Sequence, residues 1–298
     1  MVVAQFIKMS LCALSAVCIL MHWQTYAVEH IAPTAHSTII ENDIKRLAPG
    51  DEIKTIELGD TPFLTLHREY MSADFRGVVI LIPDWQSSPT NNSGMNFLRK
   101  ELNNHGYSTY AMTVPDINWQ AAEQSSEANN QPATADNSTP TEPPHHVDYI
   151  EQVNIEVLDN YKTNLIARYE ALYQQASEAS NEIVVIAQGT SAGVLMEHYA
   201  DFSDLQINAF ISLSSFLPNS QRNARLSQTT SLVTPALLDI YFSGDHNDIL
   251  MNLKNRQRWV NRNAKFDYRQ RQLFGLRDAP QQHARLSKEI DGFLRRLF

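Results

Sequence analysis

The sequence predicts an α/β domain with a doubly wound, mostly parallel sheet and helices on both faces. Three observations predict it. Gly77 to Pro83 and Glu182 to Ala187 are apolar runs without alternation, as expected of strands covered on both sides. Segments of helical period separate such runs. Turn-forming residues punctuate the junctions. Repeated strand–helix units of this kind imply a parallel sheet.

The elements follow in order. Ile53 to Leu58 and Phe63 to Tyr70 are short strands divided by the turn cluster Gly59-Asp60-Thr61-Pro62. Gly77 to Pro83 is the first buried strand. Phe97 to His105 reads as a helix, with Gly106 at its C-terminal stop, and Tyr107 to Val114 is the next strand. Tyr149 to Ala176 carries Val153, Val157, Leu158, Tyr161, Leu165, Tyr169 and Leu172 on one helical stripe. Glu182 to Ala187 is a strand, followed by a helix through Val194, Leu195, His198 and Tyr199. Ile207 to Leu213 and Leu237 to Phe242 are strands. Ile249 to Val260 is a helix, Phe266 to Leu273 a strand and Pro280 to Leu297 the final helix. Asp278-Ala279-Pro280-Gln281 is expected to form a capping box there.

Two segments stand outside this pattern. Met1 to Ala27 has the single charge Lys8, an apolar run from Met9 to Met21 and small residues at Thr25-Tyr26-Ala27, the pattern of a secretory signal peptide. The run is shorter than the ~20 apolar residues of a membrane span, so cleavage after Ala27 and no stable membrane span are expected. The stretch at about 118–147 is rich in Gln, Ser, Asn, Thr and Pro and reads as a flexible low-complexity insertion. Residues 28–298 then form one domain, a size within the range of a single α/β unit, which commonly reaches about 250 residues.

Composition narrows the function. Lys+Arg 24 against Asp+Glu 33 gives a formal charge of −9, one unit more negative once Lys8 is removed. Nucleic acid is therefore not the expected partner. The bases of the C-terminal third, among them Arg256, Arg258, Arg262 and Arg277, read as a solvated helix face. Both cysteines, Cys12 and Cys18, precede the cleavage point, so thiolate catalysis and disulfides drop out of the mature chain. A soluble exported domain without disulfides suits a bacterial periplasm. No phosphate loop or metal-ligand spacing is present, so no cofactor or metal is expected, and the partner is an unknown small molecule or protein.

Candidate chemistry centres on Gly189-Thr190-Ser191-Ala192-Gly193, a match to the nucleophile-elbow pattern between a strand and a helix. Two registers compete. In the first, Ser191 is the nucleophile. In the second, the turn is Ala187-Gln188-Gly189-Thr190-Ser191-Ala192, and Gly189 stands where the nucleophile would be. The first register is completed by Asp245 or Asp248 as the acid and His283 as the base, in the order serine, acid, histidine. His283 has a second reading as a packed residue on the stripe of Leu286, Ile290 and Phe293. Pro83-Asp84-Trp85-Gln86 is unusual for an oxyanion loop, because Asp84 brings negative charge where an anion would develop.

These residues carry a resemblance. Gly77-Val78-Val79-Ile80-Leu81-Ile82-Pro83, His105-Gly106-Tyr107-Ser108-Thr109-Tyr110 running to Val114-Pro115, and the Ala187 to Ala192 turn are three of its motifs. Pro235-Ala236-Leu237-Leu238-Asp239-Ile240-Tyr241 and Tyr268-Arg269-Gln270 are the others. From about Glu52 onward the chain resembles an exported bacterial family of unknown function with an α/β-hydrolase-like fold. The resemblance implies that fold and export, names no substrate, and implies glycine at the elbow. Two functions are therefore expected in competition: a degenerate hydrolase fold acting as a periplasmic binding or interaction module, and an esterase-like serine hydrolase using Ser191, Asp245 and His283.

Overall fold

Ile183-Val184-Val185-Ile186 can lose its whole apolar surface to water only between two layers, and the fold places it there. The computed structural model describes residues 34–118, 153–201 and 206–297. The expected signal segment 1–27, and all of the expected insertion except Asn118, lie outside the described residues.

In chain order the elements are α1 (His36–Leu47), β1 (Ile53–Ile56), β2 (Phe63–Arg68), β3 (Gly77–Ile82), α2 (Met95–Asn104), β4 (Tyr107–Met112) and α3 (Ile155–Ala179). They continue with β5 (Ile183–Gln188), α4 (Gly189–Asp201), β6 (Ala209–Leu213), α5 (Ser220–Thr229), β7 (Ala236–Phe242), α6 (Asn247–Arg262), β8 (Tyr268–Leu273) and α7 (Pro280–Leu294). The eight strands form one sheet in the order β1-β2-β4-β3-β5-β6-β7-β8. β1 and β2 pair antiparallel, as do β2 and β4, and every other neighbouring pair is parallel.

The period of two in the strands divides the core. Val78, Ile80 and Ile82 of β3, with Ile183, Val185 and Ala187 of β5, face the layer formed by α3, α4 and α5. Val79, Leu81, Val184 and Ile186 face α1, α2 and α7. All ten side chains are buried, and each large aliphatic among them contributes roughly 1.5–3 kcal/mol relative to an exposed position.

Helix ends follow local chemistry. The Asn154 side chain accepts from the Glu156 amide at the start of α3, and Asn219 accepts from the Arg222 amide at the start of α5. Both leave fewer unpaired amides in the first turn. The expected capping box on α7 does not form: its N-cap is Ala279, with no side-chain cap, and Pro280 opens the helix. Proline suits this position because it has no amide hydrogen to satisfy. Among the described residues no helix is long and apolar enough to cross a membrane.

β3 and β5 are neighbours, and the connection after β3 runs to β4 on one side while that after β5 runs to β6 on the other. In doubly wound sheets a crevice opens at such a switch point, beyond the carboxyl ends of the strands.

Candidate functional site: an occupied amide cradle at the strand switch point

β5 ends at Gln188, and α4 starts at once with Gly189, whose φ is +58°. Only glycine adopts this conformation without steric cost. Gly189 is therefore the apex of the bend, as the second register has it. A Cβ there would overlap the Asp84 carboxylate. Gly193 has a different role: a Cβ on it would press on the Phe216 carbonyl oxygen and on Leu217, so it permits close packing of α4.

Asp84 follows β3 and Pro83. Its Oδ1 accepts the amide hydrogens of Trp85 and Thr190, each at 2.8 Å. One donor comes from the loop after β3 and the other from the first turn of α4, so two chain segments converge on one oxygen. Burial pushes the Asp84 carboxyl above the usual carboxylate range. The two amides and the nearby Arg277 charge pull in the opposite direction without cancelling that effect. Gln188 ties the same two loops together, accepting from Asn91 Nδ2 at 3.1 Å and donating to the Ser93 carbonyl at 3.0 Å.

Ser191 lies two residues into α4, fully buried, with its Oγ 2.8 Å from the Tyr161 hydroxyl of α3. Asp245 follows β7. Its Oδ2 accepts from Ser214 Oγ at 2.6 Å and from the Phe242 amide at 2.8 Å, and its Oδ1 lies 3.0 Å from Arg277 Nε. His283 sits in the first turn of α7 with its ring 5.5 Å from that of Phe97, and its Nε2 is buried without a hydrogen-bond partner among the described residues. Asp248 is the acidic residue of the first turn of α6. Among the described residues no hydrogen bond joins Ser191, Asp245 and His283 to one another; their partners are Tyr161, Arg277 and Phe97.

The structure instead brings together Asp84, Gly189, Asp245 and Arg277. A pocket of about 440 Å³ is lined by Asp84, Asp245 and Arg277 together with Trp85, Gln188 and His246. Arg277, in the loop between β8 and α7, was grouped by sequence with a solvated basic face, yet it pairs with Asp245 at the pocket. Its signal was its place directly after the last strand, where a site residue is expected. Asp84 was noticeable as a misplaced charge, although its insertion into the bend depends on two loops meeting.

The chain matches, over residues 24–296, the family described as "Protein of unknown function (DUF3530)". It belongs to that family. None of the curated proteins matches it in sequence. Its structural neighbours are α/β hydrolases, and the DUF3530 chain has the α/β-hydrolase fold. Est1E from Butyrivibrio proteoclasticus aligns with a TM-score of 0.55 at 11% identity, covering 83% of this chain and 98% of that one. A dienelactone hydrolase from Anabaena variabilis aligns with a TM-score of 0.54 at 10% identity, covering 83% and 97%. A soluble variant of monoglyceride lipase from Saccharomyces cerevisiae gives 0.52 at 8% identity, covering 82% and 94%. At these identities the DUF3530 chain shares their fold, and activity has to be argued from its own site.

Proposed function

We propose that this chain is a hydrolase fold adapted to bind a ligand in the pocket over Asp84 and Arg277, without serine-dependent acyl transfer. The observation that carries the reading is the Asp84 carboxylate held by the Trp85 and Thr190 amides beside Gly189. Acyl transfer needs a nucleophile at the bend and empty donors where the oxyanion will form. Here the bend carries no side chain, and the Asp84 carboxyl engages the donors. The pocket remains, with charged and amide side chains around it, which is what a binding site for a polar ligand requires. Export to a bacterial periplasm, inferred from the sequence of residues 1–27, is part of the same proposal, and N-terminal sequencing of the mature protein tests it.

The rival reading keeps Ser191 as the nucleophile. It requires the hydroxyl to leave Tyr161 and His283 to leave Phe97. Incubation with a fluorophosphonate probe separates the two. The binding reading expects no covalent label on the wild-type protein. A label that disappears in Ser191→Ala overturns it and establishes the serine hydrolase.

A further inference from the structure

We propose that the free edge of β8 is a docking strand for an extended, acidic segment of a partner protein, which adds to the sheet as a further strand between Phe266 and Phe274. This is a surface that the pocket reading does not use.

β8 stands at one end of the sheet and pairs with β7 alone among the described strands. The Asp267 and Leu273 carbonyls accept from the Leu237 and Ser243 amides, on the β7 side. Backbone direction alternates along a ladder, so Tyr268, Gln270 and Gln272 turn their amides and carbonyls away from β7. Among the described residues nothing pairs with those groups. Both faces of the strand are covered: Gln270 reaches the Leu253 carbonyl of α6, and Arg271 pairs with Glu289 of α7. What stays open is the hydrogen-bonding edge, the feature that an extended chain joins in strand addition. The opposite edge, β1, has four residues against six here, and very short edge strands resist pairing.

The ends and the charge of the edge say what fits it. Phe266, just before the strand, is 94% exposed, and Phe274, just after it, is 62% exposed. Rings left in water at both ends of a free edge gain from a partner that spans it. At ~3.3 Å per residue, a segment of about eight residues reaches both. The α7 side of the strand carries Arg269 and Arg271, and Arg285 of α7 stands over the Phe274 ring. Glu289 answers Arg271, Lys265 and Asp267 pair with each other, and Arg269 has no carboxylate partner among the described residues. The excess along this edge is thus positive, in a chain whose formal charge is −9, and it favours an acidic partner. A second copy fits poorly. In the two antiparallel registers that overlap most of β8, a two-fold axis sets Arg269 opposite Arg271 or Arg271 opposite itself. Like charges directly opposite destabilise a strand pair.

The probe is a fluorescein-labelled peptide, Phe-Glu-Val-Glu-Val-Glu-Val-Phe. Its controls are the same peptide with lysine for glutamate and an acidic version N-methylated at each backbone nitrogen. Fluorescence anisotropy with the purified protein should show saturable binding of the acidic peptide, with both controls weaker by about tenfold or more. Arg269→Glu should weaken the acidic peptide by about fivefold. Gln272→Pro removes one outward amide and leaves the β7 ladder alone, and should weaken it by about tenfold. The bound peptide should slow hydrogen exchange at the Tyr268, Gln270 and Gln272 amides and leave Arg269 and Arg271 unchanged. Absence of saturable binding, equal binding of either control, or indifference to Arg269→Glu overturns the proposal. Sedimentation that finds a wild-type dimer, lost in Gln272→Pro, overturns it too and assigns the edge to a second copy. Where Gln272→Pro does not fold, the N-methylated peptide and Arg269→Glu decide. None of these outcomes bears on fluorophosphonate labelling, so the docking edge and the pocket reading fail separately.

Discussion

β7 and the turn that follows it carry the aspartates of two Asp–Arg pairs, and the pairs are built differently. Asp239, within the strand, meets Arg256 Nη1 through both oxygens at 3.1 Å, and each side chain is 1% exposed. Arg256 also reaches Ser215 Oγ and its carbonyl, while Tyr268 and Ser212 donate to Asp239. Asp245, just past the strand, meets Arg277 by one contact at 3.0 Å, and that arginine is 24% exposed. The first pair is sealed from water, with Arg256 Nε its one unpartnered donor among the described residues, and it braces β7, β8 and α6. The second is open toward the pocket, so it can exchange partners. The same two residue types thus yield a sealed brace or a pair at a pocket wall, depending on whether water reaches them.

The sharpest way to break this contrast is to truncate both arginines. Arg256→Ala strands a buried carboxylate and should cost about 3–5 kcal/mol, whereas Arg277→Ala should cost less, because that arginine is partly exposed and Asp245 keeps the Ser214 and Phe242 donors; urea unfolding measures both. Similar losses would erase the distinction. Gly189→Ala sharpens it at the cradle. The positive φ and the overlap with Asp84 together should cost roughly 2–4 kcal/mol. Adding Asp84→Ala should recover part of that loss, a non-additivity expected of residues in contact. Ser191→Ala leaves the Tyr161 hydroxyl without its partner and should cost about 1–2 kcal/mol, as a structural hydrogen bond does.

The smallest expected effect concerns pH. Asp84 has a raised carboxyl pKa in the folded state, so the folded protein holds that proton more tightly than the unfolded chain. The resulting stability is present at low pH and is lost as pH rises through the folded value. Asp84→Asn keeps an oxygen for both amides and removes the charge. It should therefore raise the melting stability at neutral pH, and this advantage should vanish in acid. An advantage that grows in acid reverses the sign and refutes the account.

The contrast also explains what the sequence made legible. Strands buried on both faces announce themselves, because Ile80 or Val185 has no polar alternative, and the mostly parallel sheet follows from such runs, while the strand order does not. α1 and α5 lack comparable runs, and both went unread. At the site, the residue types around Gly189 were visible, yet the choice between registers turned on one backbone dihedral. Asp84 could be read as misplaced charge but not as a guest of the Thr190 amide, because that contact joins residues 106 positions apart. Arg277 and Asp278 sat in what looked like a helix preamble. The expected cap did not form, and both residues line the pocket instead.

The empty side of Gly189 has a bearing on how such a chain could change over generations. A serine arriving at 189 meets a neighbour already in its space, and a smaller residue arriving at 84 leaves a bend with nothing to attack with. A side chain can be placed at the bend only in the order 84 and then 189, because the reverse order passes through a crowded, weakened intermediate. A single point change at 189 is thus disfavoured while the carboxylate stands in its space.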